Sequence, residues 1–337
     1  VLRWCLIMDM LSKRQEQLLK MIVENYIKQA TPVSSKQLCK KLKCSSATIR
    51  SEMANLEEAG LLEKTHTSSG RIPSQKGYRY YVDNLLKPRK MNGEDMLNLQ
   101  IILHNQSLEL SDCISKSLQL VSDMTSYTAV VLGQASHDNL LKEVNVVPLA
   151  DNQLIMIVVT DKGKVEHKTV TLDQVNMSDV KKMVDLINKL IVGTPIDEIS
   201  TKLEFEIKPI IGNYVEQHEK LYDVIYHVFD DLTHPDINVV GKTKFLEQPE
   251  FGSIDKVKGL FAKLDDQDLI KEIKQDNSNN IEVYIGSENN IDSDVTVIKT
   301  GFKTKNEEGT IAIIGPKRME YERVMSLLEF IKDNIEG

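Results

Sequence analysis

Cysteine is scarce in this sequence. Its 337 residues include only Cys5, Cys39, Cys44 and Cys113, and none of them stands in a CxxC pair. So few cysteines cannot form the disulfide framework of a small secreted domain, and a reducing cytoplasm fits best. Cys39 and Cys44 have no nearby histidine, which argues against a zinc site. We therefore predict a cytoplasmic protein with no metal and no cofactor, whose cysteines are small buried apolar residues.

Long apolar runs are also lacking. The longest uninterrupted aliphatic run, residues 154–159, contains six residues, whereas a membrane-spanning helix needs about 20. The apolar start of the chain is too short for a secretory signal and is followed at once by Asp9. We expect no membrane association, and we interpret residues 1–9 as an extension upstream of Met10.

Recognisable catalytic motifs are missing as well. The sequence contains no Walker A loop, no GxSxG elbow and no HExxH pair, and its seven histidines include no pair at metal-binding helical spacing. Two acidic pairs, 230–231 and 265–266, occupy adjacent positions that point apart on a helix, so solvated surface is the better interpretation. We predict that the protein is not an enzyme. The alternative is an enzyme that uses an acidic domain and keeps a basic domain as a tether, and it would need a catalytic cluster.

The charge of the chain is distributed unevenly. The net charge is −8, but residues 1–90 carry 17 basic and 8 acidic side chains, a local charge of +9. The rest of the chain carries 25 basic and 42 acidic side chains, a charge of −17. A basic region joined to an acidic one is typical of a protein in which one part meets a polyanion, and nucleic acid is the first candidate. A solvated basic surface without a partner would give the same charge, so local structure has to decide.

Two capping boxes mark helices in the basic region. Ser12 and Gln15 form the first box, and the apolar stripe that follows predicts a helix ending near Gln29. Ser34 and Gln37 repeat the pattern and predict a short second helix. A tight turn then leads into a third helix, so we expect the order helix, short helix, turn and helix.

The predicted third helix has one apolar face and one small, polar face. Ser45 or Ser46 caps it, and Gly60 is placed to end it after Ala59. The helical period buries Ile49, Met53 and Leu56 and exposes Ala47, Arg50, Ser51, Ala54 and Asn55. A helix that enters the major groove needs such an exposed face, because short side chains permit close approach and arginine contacts guanine through two hydrogen bonds. The predicted DNA contacts of this helix are Ser45, Ser46, Ala47, Thr48, Arg50, Ser51 and Asn55.

A hairpin follows the third helix. Residues 61–64 and 71–73 read as two short strands, the second of them an edge strand on which proline is tolerated. The tip between them offers hydroxyl groups and a cation suited to phosphate or minor-groove contact. The predicted DNA contacts of this wing are Thr67, Ser68 and Arg71. Residues 77–86 then predict a closing helix whose tyrosines pack the domain. Three helices, a wing and positive charge favour a winged-helix DNA-binding domain over a solvated basic surface.

The residues that carry these motifs closely resemble the HrcA heat-inducible transcription repressors. Residues 10–86 resemble the winged-helix domain of that family, most specifically in SSATIRSEMANLEEAGLL and THTSSGRIPSQKGYRYYVD. The resemblance continues at 314–319 (IGPKRM) and at 321–331, while the middle of the chain is matched loosely. SSATIR alone is shared with other winged-helix repressors, but its combination with GRIP and the later IGP with Arg318 and Met319 is specific.

The remainder of the chain predicts a sheet that is split by a helical insertion. Residues 87–93 read as a linker, and residues 94–124 as helical. Further helical periods occupy 173–231, and a final helix follows Pro316. The predicted strands are 127–132, 143–149, 154–160, 164–170, 281–285, 295–300 and 310–314.

The resemblance implies an α+β fold with an N-terminal winged helix-turn-helix domain followed by a GAF-like α/β domain that a helical dimerisation insertion interrupts. On this basis the expected domains are a winged-helix domain (10–86), a linker (87–93), a GAF-like domain in two parts (94–172 and 241–337) and an inserted dimerisation domain (173–240). No pattern in the sequence identifies a ligand of the GAF-like domain.

The resemblance also implies a function. A homodimer would bind double-stranded DNA at an inverted-repeat operator, which in the family is the CIRCE element upstream of chaperone operons of the dnaK and groE type. The GroEL chaperonin would keep the repressor active, and heat would divert the chaperonin to other clients. The alternative is a winged-helix repressor controlled by a small-molecule effector bound in the GAF-like domain.

Overall fold

The computed structural model describes most of the chain. The described residues are 11–65, 70–87, 91–105, 110–135, 140–150, 153–161, 163, 165–171, 177–211, 222–223, 225–227, 229, 236–273, 280–304 and 307–336. Met10, the predicted wing contacts Thr67 and Ser68, and part of the predicted linker lie outside them. Within these ranges, no helix is both long and apolar enough to cross a bilayer.

The first described elements form the predicted winged-helix order, and we call residues 11–87 the head. Its helices and strands are α1 (Lys13–Gln29), α2 (Ser35–Leu42), α3 (Ser46–Glu58), β1 (Leu62–Lys64), β2 (Arg71–Pro73) and α4 (Gln75–Tyr80). Helix α4 continues as a π-helical turn over Tyr81–Leu85. The predicted closing helix is therefore present, but its second half has the wider π-helical winding.

Local capping explains where the helices of the head begin. At α1 the amide of Ser12 donates to Gln15 Oε1 at 3.0 Å and the amide of Gln15 donates to Ser12 Oγ at 3.3 Å, so the predicted capping box is confirmed. The amide of Ser34 likewise donates to Gln37 Oε1 at 2.7 Å at the start of α2. Lys43 ends α2 in the left-handed conformation with a φ of 52°, which makes the tight turn into α3.

The wing is attached to the connection between α1 and α2. Strands β1 and β2 pair antiparallel, with Lys64 opposite Arg71. Val33 adds a further bridge, because its amide donates to the Arg71 carbonyl at 2.9 Å and its carbonyl accepts from the Arg71 amide at 3.0 Å. Behind the wing, a Cβ added to Gly77 would lie 2.1 Å from the Leu61 carbonyl oxygen, so α4 packs this closely only because residue 77 is glycine.

A five-stranded sheet lies beyond the head. Its strands run in the order β7-β3-β10-β9-β8. Their bounds are β3 (Thr128–Ala135), β7 (Asp236–Val240), β8 (Glu282–Ile285), β9 (Val295–Lys303) and β10 (Glu307–Pro316). The predicted helical stretch 94–124 forms two helices, α5 (Gly93–Leu103) and α6 (Leu110–Thr125), which pack on each other and on the last described helix, Tyr321–Glu336.

The chain divides into two compact units. The first unit comprises Val1–Val131, Asn238–Gly301 and Thr310–Gly337, so it holds the head together with the helices and most of the sheet just described. We call the rest of the first unit, outside the head, the body. The other unit comprises Leu132–Ile237 and Phe302–Gly309, and we call it the inserted unit.

The inserted unit differs from the prediction, which began an insertion at residue 173 and placed all strands in one split sheet. Strands β4 (Leu141–Ala150), β5 (Gln153–Thr160) and β6 (Val165–Thr171) instead form a separate antiparallel sheet. Alternate residues of β5 are buried in one core with helix α7 (Met177–Ile191). These three strands need no partner from the other sheet because short connections pair them with each other and α7 completes their core.

Two short helices and turns of other helical types follow α7 in the inserted unit. They are Ile196–Glu198, Ile199–Lys202, Leu203–Ile207 and Lys208–Ile211. In the body, the remaining helical segments are Lys242–Glu247, Pro249–Phe251, Ile254–Asp265, Gln267–Lys271 and Gly286–Glu288.

Candidate nucleic-acid interface

Helix α3 presents the face that the sequence predicts for a groove-binding helix. Ile49, Met53 and Leu56 are at most 3% exposed, so the predicted buried stripe is confirmed. Ser45 caps the helix, and its Oγ accepts from the amide of Thr48 at 3.1 Å. Ser46, Thr48 and Ala54 are half-buried, whereas the exposed residues are Ser45, Ala47, Arg50, Ser51 and Asn55. The structure thus brings the predicted contacts of α3 together on one side.

Arg50 is held in place by the preceding helix. Its Nε donates to Ser35 Oγ at 3.3 Å, and Ser35 Oγ lies 2.8 Å from Ser46 Oγ. Ser35 is 5% exposed, so this hydroxyl is fixed where α2 approaches α3. A guanidinium held in one orientation loses less conformational entropy when it meets a base. The sequence analysis missed Ser35 because it gave a role only to Ser34, the capping member of the serine pair.

Arg71 lies in a different environment from the one predicted for it. Its Nε donates to Glu57 Oε2 at 2.8 Å and its Nη1 to the Gly70 carbonyl at 3.3 Å, and its side chain is only 14% exposed. Lys64 Nζ lies 3.2 Å from Glu57 Oε1. Glu57, near the end of α3, therefore joins the helix to both strands of the wing. Arg71, at the start of β2, therefore anchors the wing to α3.

The environment of Glu57 is electrostatically favourable for its charged form. Burial raises the pKa of this carboxyl group, but hydrogen bonds and attraction from Lys64 and Arg71 outweigh burial and leave the pKa below its ordinary value. Glu57 therefore keeps its charge near neutral pH. Lys64 remains 63% exposed while it pairs with Glu57, so it is a wing cation that solvent reaches and that the sequence analysis did not single out.

Further cations surround α3. Lys36 and Lys41 on α2 and Lys43 in the turn before α3 are exposed. The sequence analysis counted them only as part of the charge of the basic region. The exposure of Lys36 and Lys41 was predictable from the helical period, because Leu38 is a buried apolar residue of α2 and these lysines lie on other faces.

The acidic side chains of the described residues are arranged as solvated or paired groups. Within the described ranges, no group of three or more His, Cys, Asp or Glu side chains is arranged to hold a metal ion. Asp265, from one of the acidic pairs, forms an ion pair with Lys242. The second pair, 230–231, lies outside the described residues.

Two family models match the chain. The model described as "HrcA protein C terminal domain" matches residues 111–325, and the one described as "DeoR-like helix-turn-helix domain" matches residues 14–75. The chain is 37% identical over 333 residues to a protein of Bacillus pumilus (strain SAFR-032) named heat-inducible transcription repressor HrcA, with 97% of each sequence covered.

One solved structure has a similar fold. The chain is similar to a crystal structure described as that of a hypothetical protein, with a TM-score of 0.61, 21% identity and coverage of 96% of this chain and 97% of that one. A structure of HmgR from Pseudomonas aeruginosa covers 96% of each chain, but its TM-score of 0.22 at 10% identity carries no argument. The extent of the family match and the similarity to the Bacillus pumilus protein decide the relationship: the chain belongs to the HrcA family of heat-inducible transcription repressors.

Proposed function

We propose that the protein is a homodimeric transcription repressor that reads an inverted-repeat operator through helix α3. The observation that carries the proposal is the exposed face of α3, where Ala47, Ser51 and Asn55 leave room for a base edge and Ser35 holds Arg50. Arg50 donates to a guanine in this arrangement, and Asn55 faces the same groove. The helix-turn-helix match over residues 14–75 supports this assignment.

Phosphate contacts come from the neighbouring elements. In helix-turn-helix proteins the helix before the recognition helix crosses the DNA backbone. The exposed lysines Lys36, Lys41 and Lys43 belong to that helix and its turn, so they contact phosphates in our proposal. Ser45, Ser46 and Thr48 add hydroxyl groups at the start of α3. On the wing, Thr67, Ser68 and Arg71 remain proposed contacts, and the exposed Lys64 adds a further cation.

The second copy of the chain binds through the inserted unit in this proposal. That unit exposes large apolar side chains, namely Val147, Leu149, Val165, Leu190, Val192 and Phe205. Phe205 is the most exposed of them, at 72%. Apolar surface of this kind is typical of a protein–protein interface. A dimer then couples two heads, so that each α3 reads one half of the operator.

The family indicates which genes and which signal are involved. The Bacillus pumilus relative is named a heat-inducible transcription repressor. We infer that this chain represses chaperone operons of the dnaK and groE type through a CIRCE element, that the GroEL chaperonin maintains its activity, and that heat stress ends repression. Repression acts by blocking transcription initiation.

Binding to matched DNA duplexes tests the proposal. We expect the full chain to prefer an inverted repeat over a scrambled duplex in fluorescence anisotropy. Arg50→Ala should cost about 1–3 kcal/mol on the operator and little on the scrambled duplex. The matched control Lys36→Ala should weaken both duplexes alike and reduce the slope of affinity against salt by about one. Equal losses on both duplexes for Arg50→Ala, with an unchanged circular-dichroism spectrum, would remove Arg50 from base recognition.

A second experiment tests the proposed control by heat and the chaperonin. Purified protein should lose operator binding on mild warming, and GroEL with ATP should restore it. Light scattering recorded alongside DNA binding separates aggregation from reversible dissociation. Binding that survives warming, or that is indifferent to the chaperonin at every temperature, would exclude chaperonin control.

One recess in the body supports a second candidate, a repressor controlled by a small molecule. Among the described residues, a recess of about 130 Å³ is lined by Leu269, Glu272, Ile273, Tyr284, Glu288, Asn289, Asn290, Ile291, Val297 and Lys299. Its polar groups already bind each other, since Lys299 Nζ donates to the Ile273 carbonyl at 2.9 Å and Asn290 Nδ2 to Glu272 Oε2 at 2.7 Å. An effector would have to replace these bonds. A metabolite that raises the melting temperature of the full chain and changes operator affinity would favour this candidate.

A further inference from the structure

The head packs on the body around three tyrosine rings. Tyr78 and Tyr81 of the head lie with their ring centroids 6.1 Å and 6.4 Å from that of Tyr321, the first residue of the helix Tyr321–Glu336. All three side chains are at most 3% exposed. The sequence analysis expected these tyrosines to pack within the head, whereas they also form an apolar contact with a residue more than two hundred positions further along the chain. Burial on this scale resists separation of the two parts.

A polar contact closes one side of this packing. Arg79 Nε donates to Glu288 Oε1 at 3.2 Å and Arg79 Nη2 bonds to Glu288 Oε2, so the pair is bidentate. Arg79 Nη2 also donates to the Val283 carbonyl at 2.5 Å. Such a fork fixes direction as well as distance, because two parallel hydrogen bonds allow one relative orientation of the groups.

The backbone of the body is shaped for this contact. The amide of Ser287 donates to Gln75 Oε1 at 3.1 Å, and Gln75 Nε2 donates to Ser287 Oγ at 3.0 Å. Gly286 has a φ of +57°, and a Cβ added there would lie 2.5 Å from Gln75 Oε1. Glycine is therefore needed at 286 both for the turn and for the close approach of the head.

The opposite side is held by the IGPKRM motif that the sequence analysis singled out. Arg318 bonds through Nε to Glu250 Oε1, donates through Nη2 to Gln248 Oε1 at 3.0 Å, and donates through Nη1 to the Ile27 carbonyl of α1 at 3.4 Å. Its side chain is 14% exposed. A cation at the last turn of α1 is stabilised by the helix dipole. The head is thus held at α1 through Ile27 and at α4 through Arg79.

We propose that Arg79 and Glu288 are positioning residues for operator binding: their ion pair fixes the orientation of the head on the body, so that α3 is presented in one direction. This inference rests on the proposed function. In a dimer, two heads that each keep one direction accept one separation of the half-sites. Heads that rotate freely on a tether accept several separations, at the expense of the effective concentration that a fixed geometry provides.

Operators of different spacing test this role in the full chain. The duplexes carry the same inverted half-sites with the native separation or with a separation changed by about five base pairs, roughly half a turn of DNA. Glu288→Gln and Arg79→Gln should each reduce the preference for native spacing about tenfold, and the double variant should lose no more than either single one. Asp83→Asn is the matched control, since Asp83 Oδ1 also accepts from Arg79 Nη1, at 3.2 Å, but lies within the head. It should leave the preference unchanged.

The Glu288 variant separates positioning from direct DNA contact. If Arg79 bound phosphate, its removal would weaken DNA binding. Removal of the Glu288 carboxylate would not cause the same loss. If only Arg79→Gln changes the spacing preference, or if neither variant does, the positioning role is overturned. Reduced preference in both variants, with Asp83→Asn unchanged, supports it.

Hydrogen exchange gives a readout that needs no DNA. In Arg79→Gln the amide of Ser287 should exchange faster, because the head no longer keeps Gln75 against it, and in Asp83→Asn its rate should not change. Unchanged exchange in Arg79→Gln contradicts the fixed head even if spacing changes. Wild-type protein that fails to distinguish the inverted repeat from scrambled DNA refutes the proposed function and the spacing claim with it, whereas the exchange result still decides whether the ion pair holds the head.

Discussion

The head and the inserted unit present different surfaces. In the described part of the head no large apolar side chain is exposed, and the outward residues of α3 are small or polar. The inserted unit exposes apolar side chains such as Leu149, Val165 and Phe205. A protein binds DNA through hydrogen-bonding and cationic groups, whereas it binds another protein largely through apolar surface. In the proposed function, this difference separates DNA binding by the head from association through the inserted unit.

The two regions also differ in how their contacts are distributed. Helices of the head begin at capping residues whose hydrogen-bond partners lie a few positions along the chain, as at Ser12 and Ser34. The inserted unit combines Leu132–Ile237 with Phe302–Gly309, so distant segments have to meet before it is complete. Contacts between distant segments slow folding and leave apolar surface exposed for longer. On this comparison the inserted unit, and not the head, is the place where heat should act first.

The largest expected effect comes from a charge placed on the apolar surface of the inserted unit. Phe205→Asp should abolish the dimer in analytical ultracentrifugation and reduce operator affinity by at least about 100-fold, because the two heads are no longer coupled. Glu206→Ala, a change at the exposed neighbouring residue, is the control and should leave both unchanged. A Phe205→Asp variant that stays dimeric would place the association surface elsewhere and weaken the contrast between the regions.

Close packing in the head gives the next effect. Gly77→Ala should lower the free energy of unfolding by about 3 kcal/mol or more, because the added methyl group meets the Leu61 carbonyl at 2.1 Å. Gly259→Ala is a helical control in open space, and it should stabilise the protein by about 0.5–1 kcal/mol. Thermal unfolding measures both. Equal melting temperatures for the two variants would contradict the packing of α4 on the wing.

Arg71, which anchors the wing, should contribute less to the free energy of unfolding. Arg71→Ala should destabilise the protein by about 1–2 kcal/mol, because it leaves the half-buried Glu57 without its closest cation. It should also weaken operator and scrambled DNA to a similar extent, through a less ordered wing. Lys64→Ala, which removes the exposed partner of the same carboxylate, should cost under about 1 kcal/mol. Arg71→Ala with full stability but weaker binding to both duplexes would show that Arg71 acts on DNA directly and not through the stability of the wing.

The smallest effect concerns pH. Since the pKa of Glu57 is lower in the folded protein than its ordinary value of 4.5, its contribution to stability is complete above that value and is lost as the pH falls through the folded pKa. Glu57→Gln should therefore destabilise at neutral pH and make acid unfolding less steep, by well under about 1 kcal/mol. Denaturant unfolding between neutral and acidic pH measures this, with the exposed Glu58→Gln as control. A parallel downward shift of stability at every pH would exclude the ion pair as the cause.

The sequence predicted the head far better than the inserted unit, for a physical reason. Capping boxes and the burial of Ile49, Met53 and Leu56 depend on neighbours within one or two helical turns, so they can be read locally. Strand β5 was also predicted closely, but a run of apolar residues does not say which strands it pairs with. The separate sheet and its boundary near Leu132 therefore could not be derived.

The candidate site shows the same limit. The exposed residues of α3 followed from the helical period, whereas the partners of Arg50 and Arg71 depend on contacts across elements. Ser35 reaches Arg50 from the preceding helix, and Glu57 reaches Arg71 across the wing. Which side chains touch between two elements depends on the angle at which the elements pack. No local sequence pattern gives that angle.

The central claim is that two heads of a dimer each read one half of an operator. Titration of the full chain against an inverted repeat, and against the same duplex with one half-site scrambled, tests it most directly at matched salt concentrations. The account predicts that the intact repeat binds about 100-fold more tightly, with a steeper dependence on salt because more phosphates are contacted. Equal affinity and equal salt dependence for the two duplexes would contradict it.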